Sequence, residues 1–119
     1  MTAPDSRLVV TRDKDIVQVG FLDRNILEES SIARIGEEVV QLVDQTANPR
    51  ILISFANVEH LSSAALGALI MINNRVRQKG GQLRLSNIDP QIYEVFVITK
   101  LNKLFQIHDN VEKAVQSFK

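Results

Sequence analysis

Apolar residues recur along this chain in two rhythms, and each change of rhythm marks an element. Arg7 to Val10 is a short apolar run, and Asp15 to Phe21 sets Ile16 and Gln18 against Val17 and Val19. A period of two is that of a strand with unlike faces. The polar stretch Thr11 to Lys14 between the two runs predicts a hairpin turn. From Ser31 the period lengthens. Ile32, Ile35, Val39 and Leu42 recur at helical spacing, with Arg34, Glu37, Glu38 and Gln41 between them, so an amphipathic helix is expected. Ser30 or Ser31 is available as its N-cap, and Asn48-Pro49 ends it.

Arg50 to Phe55 (RILISF) is short, apolar and β-rich, the pattern of a strand covered on both faces. The loop Ala56 to Leu61 leads to a second helix, Ser63 to Lys79. Its last turn is basic (Arg75, Arg77, Lys79), and Gly80-Gly81 follows as a C-cap. Gln82 to Ser86 reads as a strand. Asp89-Pro90 opens a third helix with Asp as N-cap and Pro at the first helical position. Ile92, Val95, Phe96 and Thr99 are its expected inner stripe. A short strand is expected near Phe105 to Ile107. Asp109 with Glu112 forms a capping-box pattern before a last helix carrying Val111, Ala114, Val115 and Phe118.

A hairpin followed by strand–helix alternation predicts an α/β fold. It should hold a mixed four- to five-stranded sheet, an N-terminal hairpin plus parallel crossovers, with about four helices packed on it. No linker, repeat or low-complexity stretch divides the chain, so residues 1–119 are expected to form a single domain, with residues 1–6 flexible.

Composition narrows the function. Lys plus Arg number 14 and Asp plus Glu 14, so net charge is zero. That leaves no basic surplus for phosphate backbones or anionic membranes. No Cys is present, which excludes disulfides, thiolate metal sites and a Cys nucleophile. The longest apolar run, Ala64 to Ile72, is far short of a bilayer span, and no signal-peptide pattern opens the chain. A cytoplasmic location is the expectation.

Catalytic patterns are missing. Neither GxxxxGK[ST] nor GxGxxG occurs, and no serine sits in GxSxG or SxxK. His60 and His108 lack partners at metal-ligand spacing and read as solvated or edge histidines; Glu28-Glu29 and Glu37-Glu38 read as solvated helix faces. Met71, Phe96 and Phe105 read as core. The strand Arg50 to Phe55 ends without the acidic cluster of a response regulator. His60, three residues before Ser63, keeps a phosphocarrier alternative open. Ser62 and Ser63 stand at a strand-to-helix junction. Either can be an N-cap. A phosphate on either would meet the free N–H groups and positive end of the helix, adding a charge of about −1.5 to −2. Ala64, Ala65, Gly67 and Ala68 would keep this helix face low for another protein.

The stretch NVEHLSSAALGALI (Asn57 to Ile70) resembles the signature of STAS domains, and specifically of bacterial anti-sigma factor antagonists. In that family an apolar strand leads to V-x-F-[ILM]-D-S-[ST]-G-L-G and then a helix. The segment from Gly80 to Ile107 is similar to the family's downstream pattern, and the likeness runs from about Val9 to Phe118. Val58, Leu61, Leu66 and Gly67 match, and the family's phosphorylatable serine falls on Ser63, with Ser62 the alternative. Ser62, Ala64 and Ala65 stand where the family carries an acidic residue, a hydroxyl residue and glycine.

The resemblance implies a STAS-like fold and a non-enzymatic partner-switching regulator without cofactor or metal. Its unphosphorylated form would bind an anti-sigma factor of serine kinase type and free a sigma factor. Phosphorylation would release it and a phosphatase would reset it. The expected partner surface is Ser62, Ser63, Ala64 and Ala65, bordered by Asp23 and Arg24 and by Asn87 and Asp89, because parallel strands deliver their carboxyl-end loops to one edge. The chain is expected to be a monomer or weak homodimer. A constitutive STAS scaffold in a larger signalling assembly, without phosphorylation, is the alternative.

Overall fold

The two N-terminal runs pair as an antiparallel hairpin, β1 (Leu8–Asp13) with β2 (Ile16–Phe21), Leu8 opposite Phe21 and Asp13 opposite Ile16. The computed structural model describes residues 8–13, 15–22, 24–26 and 29–118; the expected flexible residues 1–6 lie outside these. The strand runs on through Thr11, Arg12 and Asp13, which the sequence assigned to the turn. β1 is a sheet edge, where polar side chains cost no burial, so polarity there does not mark a turn.

After the hairpin come β3 (Asn25–Ile26), α1 (Glu29–Asp44), β4 (Arg50–Ser54), β5 (His60–Leu61), α2 (Ser63–Gln78) and β6 (Gln82–Ser86). Then follow α3 (Pro90–Ile98), a 3-10 turn at Leu101–Lys103, β7 (Gln106–His108) and α4 (Val111–Ser117). The main sheet has five strands in the order β1-β2-β4-β6-β7, all neighbours parallel except the hairpin. β3 and β5 form a separate parallel ribbon, Asn25 opposite His60 and Ile26 opposite Leu61.

β4 is central, and its residues Ile51, Leu52 and Ile53 are all buried. Ile51 and Ile53 join Val17, Val19, Leu83 and Leu85 beneath α1 and α2, where Val39, Val43, Leu69, Ile72 and Val76 close the main core. Leu52 faces the other way, onto Ile16 and Ala114 of α4. Two-sided burial explains why β4 is apolar without alternation. Phe96 and Phe105 meet edge to face at 5.9 Å in the main core. Arg84 clasps α4, donating from Nε to Ser117 Oγ at 2.9 Å and lying over the Phe118 ring.

Four local expectations change. Ser30 and Ser31 are not caps but lie inside α1, which starts at Glu29 and buries Ile32; a cap must precede the first helical residue. Asn110, not Asp109, caps α4, its Oδ1 accepting from Lys113 N at 2.8 Å; Asp109 pairs with Lys113 Nζ instead. On α3 only Ile92 and Phe96 are buried, and Val95 and Thr99 are exposed. Met71 is no core residue; it is exposed on α2.

At the amino ends of the strands the two helix-to-strand turns interlock. Asn48 N donates to Lys79 O, and Gln82 N to Pro49 O at 2.8 Å. Gly80 has φ +72° and a Cβ on Gly81 would strike the Pro49 carbonyl oxygen, so the glycine pair is required by conformation and by space.

Candidate functional site

At the opposite, carboxyl edge of the sheet β4 gives way to a loop that is fixed by its backbone. Phe55 N donates to Ser86 O at 2.9 Å and Val58 N to Phe55 O at 3.0 Å, with Val58 buried. Glu59 N and His60 N both donate to Arg24 O, and Ser62 N to Ile26 O at 3.1 Å. These bonds, with the β3–β5 ribbon, set the direction in which α2 leaves.

The two serines then part in role. Ser62 has extended geometry (φ −83°, ψ 166°) and its Oγ accepts from Ala65 N at 3.2 Å, so it is the N-cap. Ser63 is the first helical residue, exposed, and its hydroxyl makes no hydrogen bond among the described residues. The first turn of α2 carries no acidic side chain, so its positive end is uncompensated.

Ala64 is exposed beside Ser63, and Gly67 one turn on has open space where a Cβ would stand. Ala65 is different. At 4% exposure it sits in the core, and its methyl cannot belong to a partner surface. The helical turn that brings Ser63 and Ala64 outward carries Ala65 and Leu66 inward. The low outer face is therefore Ala64 and Gly67, continued by the exposed Met71 and Asn74.

Of the expected border, Arg24, Asn87 and Asp89 meet round one open groove of about 480 Å³, together with Asn57 and Glu59. Asp23 lies outside the described residues. Asp89 caps α3, its Oδ1 accepting from Gln91 N at 2.8 Å, and Asn87 holds a left-handed backbone at φ +58°. Arg24 and Glu59 face each other at 3.7 Å across the loop. Asn57 donates from Nδ2 to Phe21 O at 3.4 Å, tying the loop to the end of β2. Sequence reading missed Asn57 and Glu59, although the opposite charges of Arg24 and Glu59 were there to be matched. A second groove of about 570 Å³, lined by Arg12, Asp15, Asn48 and Gln82, lies at the far edge among the interlocked turns.

The histidines do not join either serine. His60 is exposed, while His108 is half-buried on β7 with Nε2 buried and without a hydrogen-bond partner. Among the described residues no group of His, Asp and Glu could hold a metal ion, and no helix is long and apolar enough to cross a membrane.

A model of the STAS domain family matches residues 21–114. Among curated proteins, the chain is 27% identical over 107 residues to the anti-sigma-B factor antagonist of Bacillus subtilis, spanning 90% of this chain and 94% of that protein. An anti-sigma-factor antagonist (STAS) domain protein from Planctomyces limnophilus superposes with a TM-score of 0.84 at 18% identity, covering 92% of this chain and 96% of that one. The Bacillus cell fate determinant SpoIIAA in its phosphorylated form superposes with a TM-score of 0.70 at 16% identity, covering 92% and 96%. At such identities the structural likeness is one of fold.

Proposed function

This chain belongs to the STAS domain family, and from that premise we propose that it is an anti-sigma factor antagonist gated by phosphorylation of Ser63. The observation that carries the reading is the division of labour between the serines: Ser62 Oγ is engaged as the cap, and Ser63 is exposed with its Oγ unengaged among the described residues. Supporting it, a relative of similar length is named an anti-sigma-B factor antagonist.

In the unmodified state Ser63, Ala64 and Gly67 offer a low surface, with the Arg24–Asp89 groove beside it. An anti-sigma factor of serine kinase type docks there. The kinase brings ATP: Ser63 Oγ attacks the γ-phosphorus, its proton passes to a base of the kinase, and ADP leaves. The product carries about −1.5 to −2 charge at pH 7, a large local change on a chain of net charge zero. The N-terminal N–H groups of α2 tolerate that charge, so the fold persists while the apposed partner surface is repelled. A phosphatase restores the hydroxyl.

Ser62 caps α2 without the charge of the acidic residue that the family carries there, and Ala65 puts a methyl into the core where the family has glycine. Losing that charge beside the acceptor favours, as a second reading, a constitutive scaffold that is never phosphorylated. One experiment separates them. The protein is incubated with its purified anti-sigma kinase and ATP, and the phosphate is mapped by mass spectrometry. Phosphate on Ser63, abolished in Ser63→Ala, is expected. Phosphate on another residue, or none, overturns the switch.

A further inference from the structure

Helix α2 has no acidic residue along its 16 positions, yet carries Arg75 and Arg77 and is followed by Lys79. Its neighbour α1 has the opposite bias, with Glu29, Glu37, Glu38 and Asp44 against Arg34 alone. Asp44 and Arg75 join the two helices at 2.8 Å. Along one flank, then, α2 accepts an acidic amphipathic helix. Its outer flank has no such cover. Gly67, Ile70, Asn74 and Gln78 follow Ser63 at steps of four, three, four and four residues, which is one face of a helix. With Met71, and with Val40 of α1, they line an open groove of about 490 Å³.

The groove is unobstructed one turn from Ser63, since nothing lies within 4 Å of where a Cβ on Gly67 would stand. Met71, exposed beside it, is an adaptable apolar contact. Arg77, two turns beyond Ile70 on the same side, is exposed and makes no ion pair among the described residues. The amino end of α2 is likewise uncompensated. On the anti-sigma antagonist reading, on which this rests, we propose that the groove seats an acidic amphipathic helix of the anti-sigma factor. Its apolar side chains, spaced three and four apart, lie over Gly67 and against Met71, and its carboxylates meet Arg77 and the amino end of α2. Helix α1 of a second copy cannot serve, because its apolar face is buried in its own core. From Gly67 to Gln78 the groove runs roughly 16 Å, room for about three turns. Ser63 lies about 6 Å before Gly67 along the axis, inside the roughly 8–10 Å over which exposed charges act at physiological salt. A phosphate there faces the carboxylates of the docked helix, and this is the source of the repulsion.

Titration calorimetry of the full chain with its purified anti-sigma kinase, without ATP, tests this. Gly67→Gln fills the groove with a better helix former, so circular dichroism should hold while affinity falls about tenfold or more. Asn74→Glu should weaken binding about tenfold, and Asn74→Lys should bind as tightly as the wild type or more so; Arg77→Glu should lose about three- to tenfold. Ser63→Asp, measured alongside, keeps the groove apart from the switch. If Ser63→Asp weakens binding and Gly67→Gln and Asn74→Glu do not, the groove assignment falls and the switch stands. If the groove variants lose binding and Ser63→Asp does not, the groove stands and the switch falls. Equal losses in Asn74→Glu and Asn74→Lys overturn the acidic partner and with it the proposal, and a wild type that does not bind overturns both readings.

Discussion

Exchanging the two adjacent serines one at a time separates the scaffold from the switch. In Ser62→Ala the α2 cap is lost. Cap removal costs about 0.5–2 kcal/mol. Here the bond from Ala65 N is 3.2 Å and part-buried, so water replaces it in part and the lower half of that range, about 0.5–1 kcal/mol, is expected. Ser63→Ala removes an exposed hydroxyl with no partner among the described residues, and alanine is the better helix former; its effect should lie within about 0.5 kcal/mol of zero. Ser62→Asp keeps an acceptor and adds a favourable charge at the helix start, about 0.3–1 kcal/mol, so it should match or exceed the wild type. Equilibrium urea unfolding reads all three. Affinity for the anti-sigma factor should follow a different order: Ser62→Ala and Ser63→Ala bind, and a fourth variant, Ser63→Asp, is weakened about tenfold or more. If Ser63→Ala unfolds more easily than Ser62→Ala, cap and acceptor have been assigned the wrong way round.

Two further outcomes test the fold that carries this loop. Gly81→Ala sets a methyl against the Pro49 carbonyl oxygen, and should lower unfolding free energy by about 1–3 kcal/mol in urea; an unchanged midpoint would show that the interlocked turns are loose. Arg75 holds the Asp44 carboxyl below its ordinary range, chiefly through hydrogen bonds at 2.8 and 2.9 Å. That pair adds stability above the unfolded carboxylate pKa and loses it as pH falls through the lowered folded value. Asp44→Asn should therefore show a shallower loss of stability between pH 5 and pH 2 than the wild type, in urea midpoints taken at each pH. Identical slopes would mean the ion pair contributes nothing.

Long, strongly patterned elements were legible in the sequence because their signals are local. The two-faced burial of β4, the Gly80-Gly81 stop after α2 and the Asp89-Pro90 start of α3 each follow from a few adjacent side chains. The β3–β5 ribbon was not legible. Asn25–Ile26 and His60–Leu61 are too short to show a period, and their pairing joins residues 35 positions apart. The hidden cap of α4 and the early start of α1 failed for a related reason. Several neighbouring residues could each serve, and tertiary placement chooses among them. At the site, residue type identified the serine pair but could not tell cap from free hydroxyl, which depends on backbone angles at Ser62. It also placed Ala65 on the surface, where the helical phase turns it inward.

The ribbon has a consequence for timing. β5 and the bonds to Arg24 and Ile26 fasten the chain just ahead of Ser63, so a new state can be written there without first unlocking these bonds. If Ser63 is phosphorylated as proposed, information would be stored here as a covalent mark on a fixed surface and not as an alternative conformer. Such a mark does not relax by thermal motion. On that proposal it would last until a phosphatase hydrolysed it, and the memory of the circuit would be as long as the balance of the two proposed enzymes made it.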